Sequence, residues 1–290
     1  MSDYVILTES SSDISLKIAA DNDIQVMPMD FILEGKSYAH YADSREMNVK
    51  AFYQKLRDGA VVTTAAENVE DYMTWVKPLL EQGKDVLLVV FSSGLSSTFS
   101  TANVALADLR EQYPDRKILA VDSLCASAGE ALLAYYAAQN RAKGMSIEEN
   151  AQWLEDNKLH LAHWFTVDDL MFLKRGGRVS SATALVGTML SIKPVLHVDD
   201  EGHLINVGKA RGRKASMKAL ADKAAETGVD LSNQVIFISH GDCLDDAQWL
   251  AQEVRDRFHP VDVVISDIGP VIGAHSGPGT LALYFMATHR

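Results

Sequence analysis

The sequence is short of the features that mark membrane-embedded, disulfide-stabilised and nucleic-acid-binding proteins. Its 290 residues include only two cysteines, and their wide separation fits no metal-ligand spacing and suits a reducing compartment. No apolar run approaches the ~20 residues of a membrane helix, so we expect no stable membrane insertion. Acidic residues outnumber basic ones by 39 to 27, and a net charge of −12 argues against nucleic-acid binding. No basic leader precedes the first apolar run, which predicts no signal peptide and a cytoplasmic location.

What is present is the composition of an ordinary globular protein, with 47% apolar and 23% charged residues. This length suffices for two domains, and we predict an N-terminal domain over 1–160 and a C-terminal domain over 161–290. No Gly/Ser-rich linker separates them, so we expect the two halves to pack together and to share a cleft.

The pattern of apolar runs predicts the fold class. Near-continuous apolar runs at 4–8, 24–29, 86–91 and 117–121 alternate with helical patterns, which is typical of a mostly parallel sheet flanked by helices. In the second half, runs at 194–198 and 203–207 flank a turn and predict an antiparallel hairpin within a mixed sheet. We therefore predict an α/β protein of two α/β domains with the ligand between them.

Hydroxyl side chains cluster where the predicted strands end, at 8–12, 63–64, 92–98 and 122–127. Helix capping is one interpretation, because Ser and Thr are preferred N-cap residues. Four such clusters in one sheet would instead line one crevice at the carboxyl ends of the strands. No GxxxxGK[ST] is present and no GxGxxG opens a helix, which favours a small anion such as a carboxylate over a nucleotide.

A serine hydrolase is the main alternative. Ser96 lies at a predicted strand-to-helix turn that resembles a GxSxG elbow, but Thr98 occupies the position of the second glycine. A base is available in His275, which lies in a segment, 269–279, with four glycines and two prolines. A histidine in such a loop is a candidate functional residue.

Two basic segments stand out against the acidic background. The first is the turn at 174–178, and the second is the stretch 209–218, with five cations and no acid. Both could be solvated charges or a docking surface.

Taken in order, eight segments resemble the DegV family of bacterial fatty-acid-binding proteins. They are TESSSD, TT at 63–64, SSGLSSTFSTA, VDSLCASAG, VDDLMFLKRGGRVS, IKPVLHVDDEGHL, KARGRKAS and GPVIGAHSGPGTLAL. The resemblance covers essentially the whole chain. Two segments depart from the family pattern: Thr63-Thr64-Ala65-Ala66 stands where the family usually has TSQP, and Thr8-Glu9-Ser10-Ser11 where it has DST.

This resemblance implies a carrier, without enzymatic activity, cofactor or metal, that buries one long-chain fatty acid such as palmitate or oleate. The carboxylate would contact Thr63, the loop of Ser93, Gly94 and Ser96, and His275. A fatty acid kinase would receive the carboxylate and form the acyl phosphate. The cations expected to dock this kinase are Arg178, Arg211, Arg213 and Lys214.

A fatty acid requires an apolar tunnel with one polar end. The segment 182–192 is apolar on nearly every face, as expected of a helix between a core and a ligand. The predicted tunnel walls are Phe165, Met171, Leu185, Met189 and Ile192. A regulatory protein whose bound lipid is sensed by another partner is a third possibility.

Overall fold

The computed structural model describes residues 4–179 and 192–290. The strands in these ranges are β1 (Tyr4–Glu9), β2 (Ile24–Met27), β3 (Met29–Leu33), β4 (Lys36–His40), β5 (Val62–Thr64), β6 (Asp85–Val90), β7 (Ile118–Asp122), β8 (Leu161–Thr166), β9 (Ile192–Val198), β10 (Leu204–Arg211), β11 (Val235–His240), β12 (Asp262–Asp267) and β13 (Leu281–Met286). The helices are α1 (Leu16–Asp21), α2 (Val49–Arg57), α3 (Val69–Glu81), α4 (Thr98–Gln112), α5 (Ala128–Ala142), α6 (Ile147–Asn157), α7 (Leu170–Arg175), α8 (Arg213–Thr227), α9 (Leu244–Phe258) and α10 (Pro270–Ser276). Short 3-10 turns lie at Ser10–Ser12, Lys158–His160 and Leu231–Asn233.

The first half of the chain forms a parallel sheet with the strand order β2-β1-β6-β7. Helices α3 and α4 pack on one face, around Leu7 and Leu88. Helices α5 and α6 pack on the other, around Ile6 and Leu87. Because both faces are covered, its central strands are apolar along nearly their whole length.

The second half forms a six-stranded mixed sheet with the order β10-β9-β8-β13-β11-β12. Only β11 and β12 pair in parallel within it, and β9 and β10 form the predicted antiparallel hairpin. Side chains alternate between its faces: Trp164 packs with α8 and α9, whereas Phe165 faces α5. The predicted α/β class, with one parallel and one mixed sheet, is confirmed.

A third, small antiparallel sheet has the order β4-β3-β5. Strands β3 and β4 are joined by a two-residue turn, where Glu34 and Gly35 have φ values of 53° and 80°. Strand β5 carries Thr63 and Thr64. The expectation that this pair lies at the end of a strand of the parallel sheet is therefore wrong, and three hydroxyl clusters rather than four belong to that sheet.

Helix α5 lies between the parallel and the mixed sheet. It contacts β1 and β6 on one side and β8, β11 and β13 on the other. All strands of the parallel sheet precede residue 160 and all strands of the mixed sheet follow it; the boundary between domains at 160/161 stays a prediction. Across the described ranges, no helix combines the length and the apolarity needed to cross a bilayer.

Candidate functional site

One cavity lies where the three sheets approach each other, and it contains about 950 Å³ of empty space counted out to the solvent. The described residues that line it are Ser11, Met29, Thr64, Ala65, Ala66, Phe91, Leu95, Ser96, Ala126, Ser127, His163, Phe165, Leu173, Arg178, Val198, Leu204, Ile268, Val271, Ile272, His275, Ser276, Thr280, Ala282 and Tyr284.

The residues that line the cavity are mostly apolar or uncharged. Most of its residues are aliphatic or aromatic, and its polar members are mostly hydroxyls and imidazoles. Although the chain has a net charge of −12, no acidic side chain is among the described lining residues, and Arg178 is their one cation. A cavity of this kind suits a ligand with a long apolar part and one anionic group.

An outer groove of about 820 Å³ adjoins this cavity. It is lined by Leu56, Ala60, Val61, Val62, Thr63, Thr64, Phe172, Arg175, Gly176, Arg178, Ala274 and His275. Because Thr64, Arg178 and His275 line both spaces, these three residues lie where the cavity adjoins the outer groove, and we call this place the mouth of the cavity.

At this mouth the Thr64 hydroxyl and Nε2 of His275 form a hydrogen bond of 2.8 Å. Burial, and next the charge of Arg178, lower the pKa of His275 to about 4. The imidazole is therefore neutral at pH 7. Burial also lowers the pKa of Arg178. The mouth thus combines a hydroxyl, a neutral imidazole and one half-buried guanidinium.

The basic turn after α7 brings its backbone against this imidazole. A Cβ atom placed on Gly176 would lie 2.4 Å from Nδ1 of His275, so only glycine allows this approach. Gly177 has a φ of +72°, a conformation that glycine adopts without strain. Gly176 therefore lets this turn pack directly against His275.

His275 itself lies in α10. The prediction of a loop here is wrong, because Pro270 occupies the first turn of a short helix, where proline is favoured. This helix packs between α7 and the small sheet.

The loop after β6 brings Ser96 to the cavity. Its hydroxyl bonds that of Thr98 at 2.6 Å and accepts from the Thr98 backbone N–H at 3.3 Å. Gly94 packs against the β9–β10 turn, since a Cβ atom there would lie 2.5 Å from the Glu201 carbonyl oxygen. The Ser92 hydroxyl donates to the Gly202 carbonyl at 2.9 Å. These contacts hold the loop in place across the two large sheets.

The structure brings together only part of the predicted head-group set. Ser96 and His275 line the cavity, but Thr63 is exposed and Thr64 occupies the wall instead. Ser93 is exposed as well, and Gly94 contacts the β9–β10 turn rather than the cavity.

Of the residues predicted to form the tunnel walls, too, only some are found in the cavity wall. Phe165 lines the cavity, whereas Met171 is 46% exposed and Leu173, two residues later, takes its place. Ile192 is half-buried and is not among the lining residues. Leu185 and Met189 lie outside the described residues. The same is true of the predicted helix at 182–192, except for its last residue.

The predicted docking cations have different surroundings. Arg178 lies in the cavity wall as well as in the outer groove. Arg213 is half-buried and forms an ion pair with Asp246 at 2.8 Å, so its charge is engaged within the protein. Arg211 is exposed, and the exposed Lys214 lies over the ring of Trp249. Arg211 and Lys214 are thus the two that face solvent.

The hydrolase alternative requires Ser96 and His275 to act on each other. Their described hydrogen bonds lead elsewhere, to Thr98 and to Thr64. A pKa of about 4 also makes His275 a weak general base at neutral pH. The geometry therefore does not favour hydrolysis.

Behind the hydroxyl loops lie two fully buried carboxyl groups. Glu130 accepts hydrogen bonds from Thr8 at 2.7 Å and from Ser11 at 3.2 Å. Glu9 accepts from the Tyr72 hydroxyl and from the Phe91 N–H. Burial raises the pKa of Glu9 to about 7 and that of Glu130 well above its usual range. This buried pair holds the ends of β1 and β6 in place, next to the cavity.

Sequence reasoning placed Thr64 and Ser127 in its hydroxyl clusters without naming them as ligand contacts, and it missed His163 and Tyr284 as cavity residues. Ser127 belongs to a hydroxyl cluster that the sequence singled out, but its hydroxyl does not cap α5; it donates to Asp13 at 2.5 Å. The alternation of side chains along β8 and β13 would have indicated His163 and Tyr284, had the pairing of these strands been known.

Known proteins share both the sequence and this architecture. Residues 3–288 match the family model described as uncharacterised protein, DegV family. A DegV domain-containing protein of Clostridium perfringens is 42% identical over 286 residues, or 99% of this chain and 98% of that protein. A DegV lipid binding protein from Thermotoga maritima matches with a TM-score of 0.87 and 29% identity over 99% of each chain. A fatty-acid-binding DegV family protein from Thermus thermophilus gives 0.86 and 29%, covering 98% of this chain and 99% of that one. The chain belongs to the DegV family.

Proposed function

We propose that this protein binds one long-chain fatty acid, such as palmitate or oleate, in the cavity between its sheets. The observation that carries the proposal is the lining: largely apolar, without an acid among its described residues, and with Thr64, His275 and Arg178 at its mouth. Fatty acid binding by DegV family proteins of similar structure supports it.

The two parts of such a ligand contribute differently to binding. Burial of each methylene contributes about 0.8 kcal/mol, so the tail of palmitate supplies on the order of 10 kcal/mol before ordering costs. A charge-assisted hydrogen bond to the carboxylate contributes roughly 1.5–3 kcal/mol. The tail therefore dominates the affinity, and the mouth residues fix the orientation, with the carboxylate next to Ser96, Thr64 and Arg178.

A carboxylate held at the mouth could be offered to another protein. We propose that a fatty acid kinase receives it there and forms the acyl phosphate, so that this chain acts as a cytoplasmic carrier rather than as an enzyme. Two features support this: the outer groove reaches the same three mouth residues, and Ser96 and His275 do not form a catalytic pair.

The adjacent threonines of β5 test the head-group site. Thr64→Val removes a hydroxyl in the cavity wall and keeps the branched shape, and we expect palmitate affinity to fall by roughly tenfold. Thr63→Val is the matched control, because its side chain is exposed on the other face of the strand. Binding is measured by displacement of a fluorescent fatty acid.

Equal effects of the two substitutions would contradict the assignment of Thr64 to the head group. Failure of the unmodified protein to bind any fatty acid would contradict the proposed function itself.

A further inference from the structure

The inner wall of the cavity carries polar side chains that a fatty acid tail does not need. Ser127, His163 and Tyr284 all line the cavity, each is at most 4% exposed, and none of them lines the outer groove. A plain acyl chain would leave hydrogen-bonding groups here facing methylenes, which is unfavourable in a buried site.

Two of these side chains belong to a chain of hydrogen bonds. The Ser127 hydroxyl donates to Asp13 at 2.5 Å and lies 3.0 Å from that of Ser239, which lies 3.0 Å from the Tyr284 hydroxyl. Each hydroxyl has a single proton. While Asp13 is ionised, Ser127 directs its proton to that carboxylate, so Ser239 donates to Ser127 and Tyr284 donates to Ser239. The Tyr284 oxygen is then left as an acceptor.

The third side chain has no such partner. His163 is 1% exposed, and neither of its ring nitrogens has a hydrogen-bond partner within the described part of the chain. Burial lowers its pKa well below the usual range, so the ring is neutral, with one N–H and one bare nitrogen. Nε2 packs against α5, where a Cβ atom on Gly129 would lie 2.0 Å from it, so Nδ1 is the nitrogen left to carry the proton and to donate it. Its ring packs edge-on against Tyr284, with centroids 5.3 Å apart. An unpaired donor therefore lies beside an unpaired acceptor.

These groups lie well inside the cavity. Thr280, just before β13, and then Ala282 and Tyr284 within this strand line it in succession. At about 3.3 Å per residue, the Cα atom of Tyr284 lies roughly 13 Å beyond that of Thr280. The Thr280 hydroxyl bonds the Ser276 carbonyl at 2.9 Å, next to His275 at the mouth.

We propose that the preferred ligand is a hydroxylated long-chain fatty acid, whose hydroxyl accepts a hydrogen bond from His163 and donates one to Tyr284. This inference rests on the proposed function and specifies its ligand class. A hydroxyl both donates and accepts, as this pair of groups requires, whereas a saturated chain does neither.

The test is competitive binding of stearate, 10-hydroxystearate and 12-hydroxystearate to the intact protein. We expect at least one hydroxylated acid to bind roughly tenfold more tightly than stearate. Tyr284→Phe and His163→Leu should each remove most of this preference while stearate still binds.

Trp164→Phe is the matched control. Trp164 neighbours His163 on the opposite face of β8, is also buried, and has an indole N–H without a partner among the described residues, but it does not line the cavity. The preference should survive this substitution.

Two results would overturn the inference and leave the proposed function intact: equal binding of the three acids by the unmodified protein, or a preference that persists in Tyr284→Phe and His163→Leu. The first comparison needs no variant and stands even if a substitution prevents folding. Binding of none of the acids would reject the proposed function together with the inference.

Discussion

At the scale of single residues, Ser96 is one of the two predicted head-group contacts that line the cavity, together with His275. Its hydroxyl pairs with the buried hydroxyl of Thr98, two residues before the body of α4. The N-terminal end of a helix favours a negative charge. We therefore expect Ser96 to donate to the carboxylate of the ligand, with support from the N-terminal end of α4.

Ser96→Ala should weaken fatty acid binding by about 1–3 kcal/mol through loss of one head-group hydrogen bond. Titration calorimetry with palmitate measures the loss. Ser93→Ala, in the same loop but exposed, should leave affinity unchanged. An unchanged affinity in Ser96→Ala would remove this residue from the site.

The raised pKa of Glu9 leads to a separate prediction about stability. Its pKa is raised from 4.5 to about 7 in the folded protein, chiefly by burial. Between these two values the folded state holds a proton that the unfolded state has released, so the free energy of unfolding falls as the pH rises. Buried histidines with lowered pKa act in the opposite direction, so only a comparison with a variant isolates Glu9.

Glu9→Gln imitates the protonated carboxyl and should flatten this fall. Thermal unfolding between about pH 5 and pH 8 is expected to show a smaller loss of stability than in the unmodified protein. Glu111→Gln, which removes an exposed carboxyl, is the matched control. Parallel curves for Glu9→Gln and the unmodified protein would show that Glu9 does not titrate in this range.

The sequence predicted Thr63 as the ligand contact, but Thr64 is the residue in the cavity wall, because the register of this strand could not be predicted. Thr64 pairs with the fully buried Phe31, whereas Thr63 pairs with Ile32, which is 39% exposed. In a strand, a shift of one residue moves each side chain to the other face. The sequence indicated that this pair belongs to the site, but the choice between the two depended on the register with β3.

At the scale of elements, the junction of β10 and α8 carries two of the cations that we propose for docking an acidic partner. Arg211 and Lys214 are exposed there, while the neighbouring Arg213 is engaged with Asp246. The abundance of cations in 209–218 was visible in the sequence, but their division into exposed and paired residues required the positions of α8 and α9.

Reversal of these two charges, Arg211→Glu with Lys214→Glu, should leave bound lipid in place and reduce acyl phosphate formation by a fatty acid kinase at least several-fold. Opposed charge patches mainly accelerate association, so the loss should be greater at low salt. Lys77→Glu, in α3 on the far face of the parallel sheet, is the control. Loss of lipid from the double variant, or equal loss of coupling in the control, would contradict this docking surface.

At the scale of the whole molecule, both large sheets were predicted from the apolar runs of the sequence. A strand that is covered on both faces is apolar along its whole length, and a hairpin is recognised by the turn between two such runs. The cavity did not follow in the same way. Its walls come from the small sheet, the loops of the parallel sheet, the inner face of the mixed sheet and α10. Only the packing of these elements brings His163 and Tyr284 beside Ser127.

The central claim, that this cavity holds a fatty acid, is tested most directly by native mass spectrometry of the purified protein followed by denaturing extraction. The account predicts a mass excess equal to one long-chain fatty acid, identified after extraction as an acyl chain with a free carboxylate. A clean unliganded mass that does not change after incubation with palmitate, oleate or 12-hydroxystearate would contradict it.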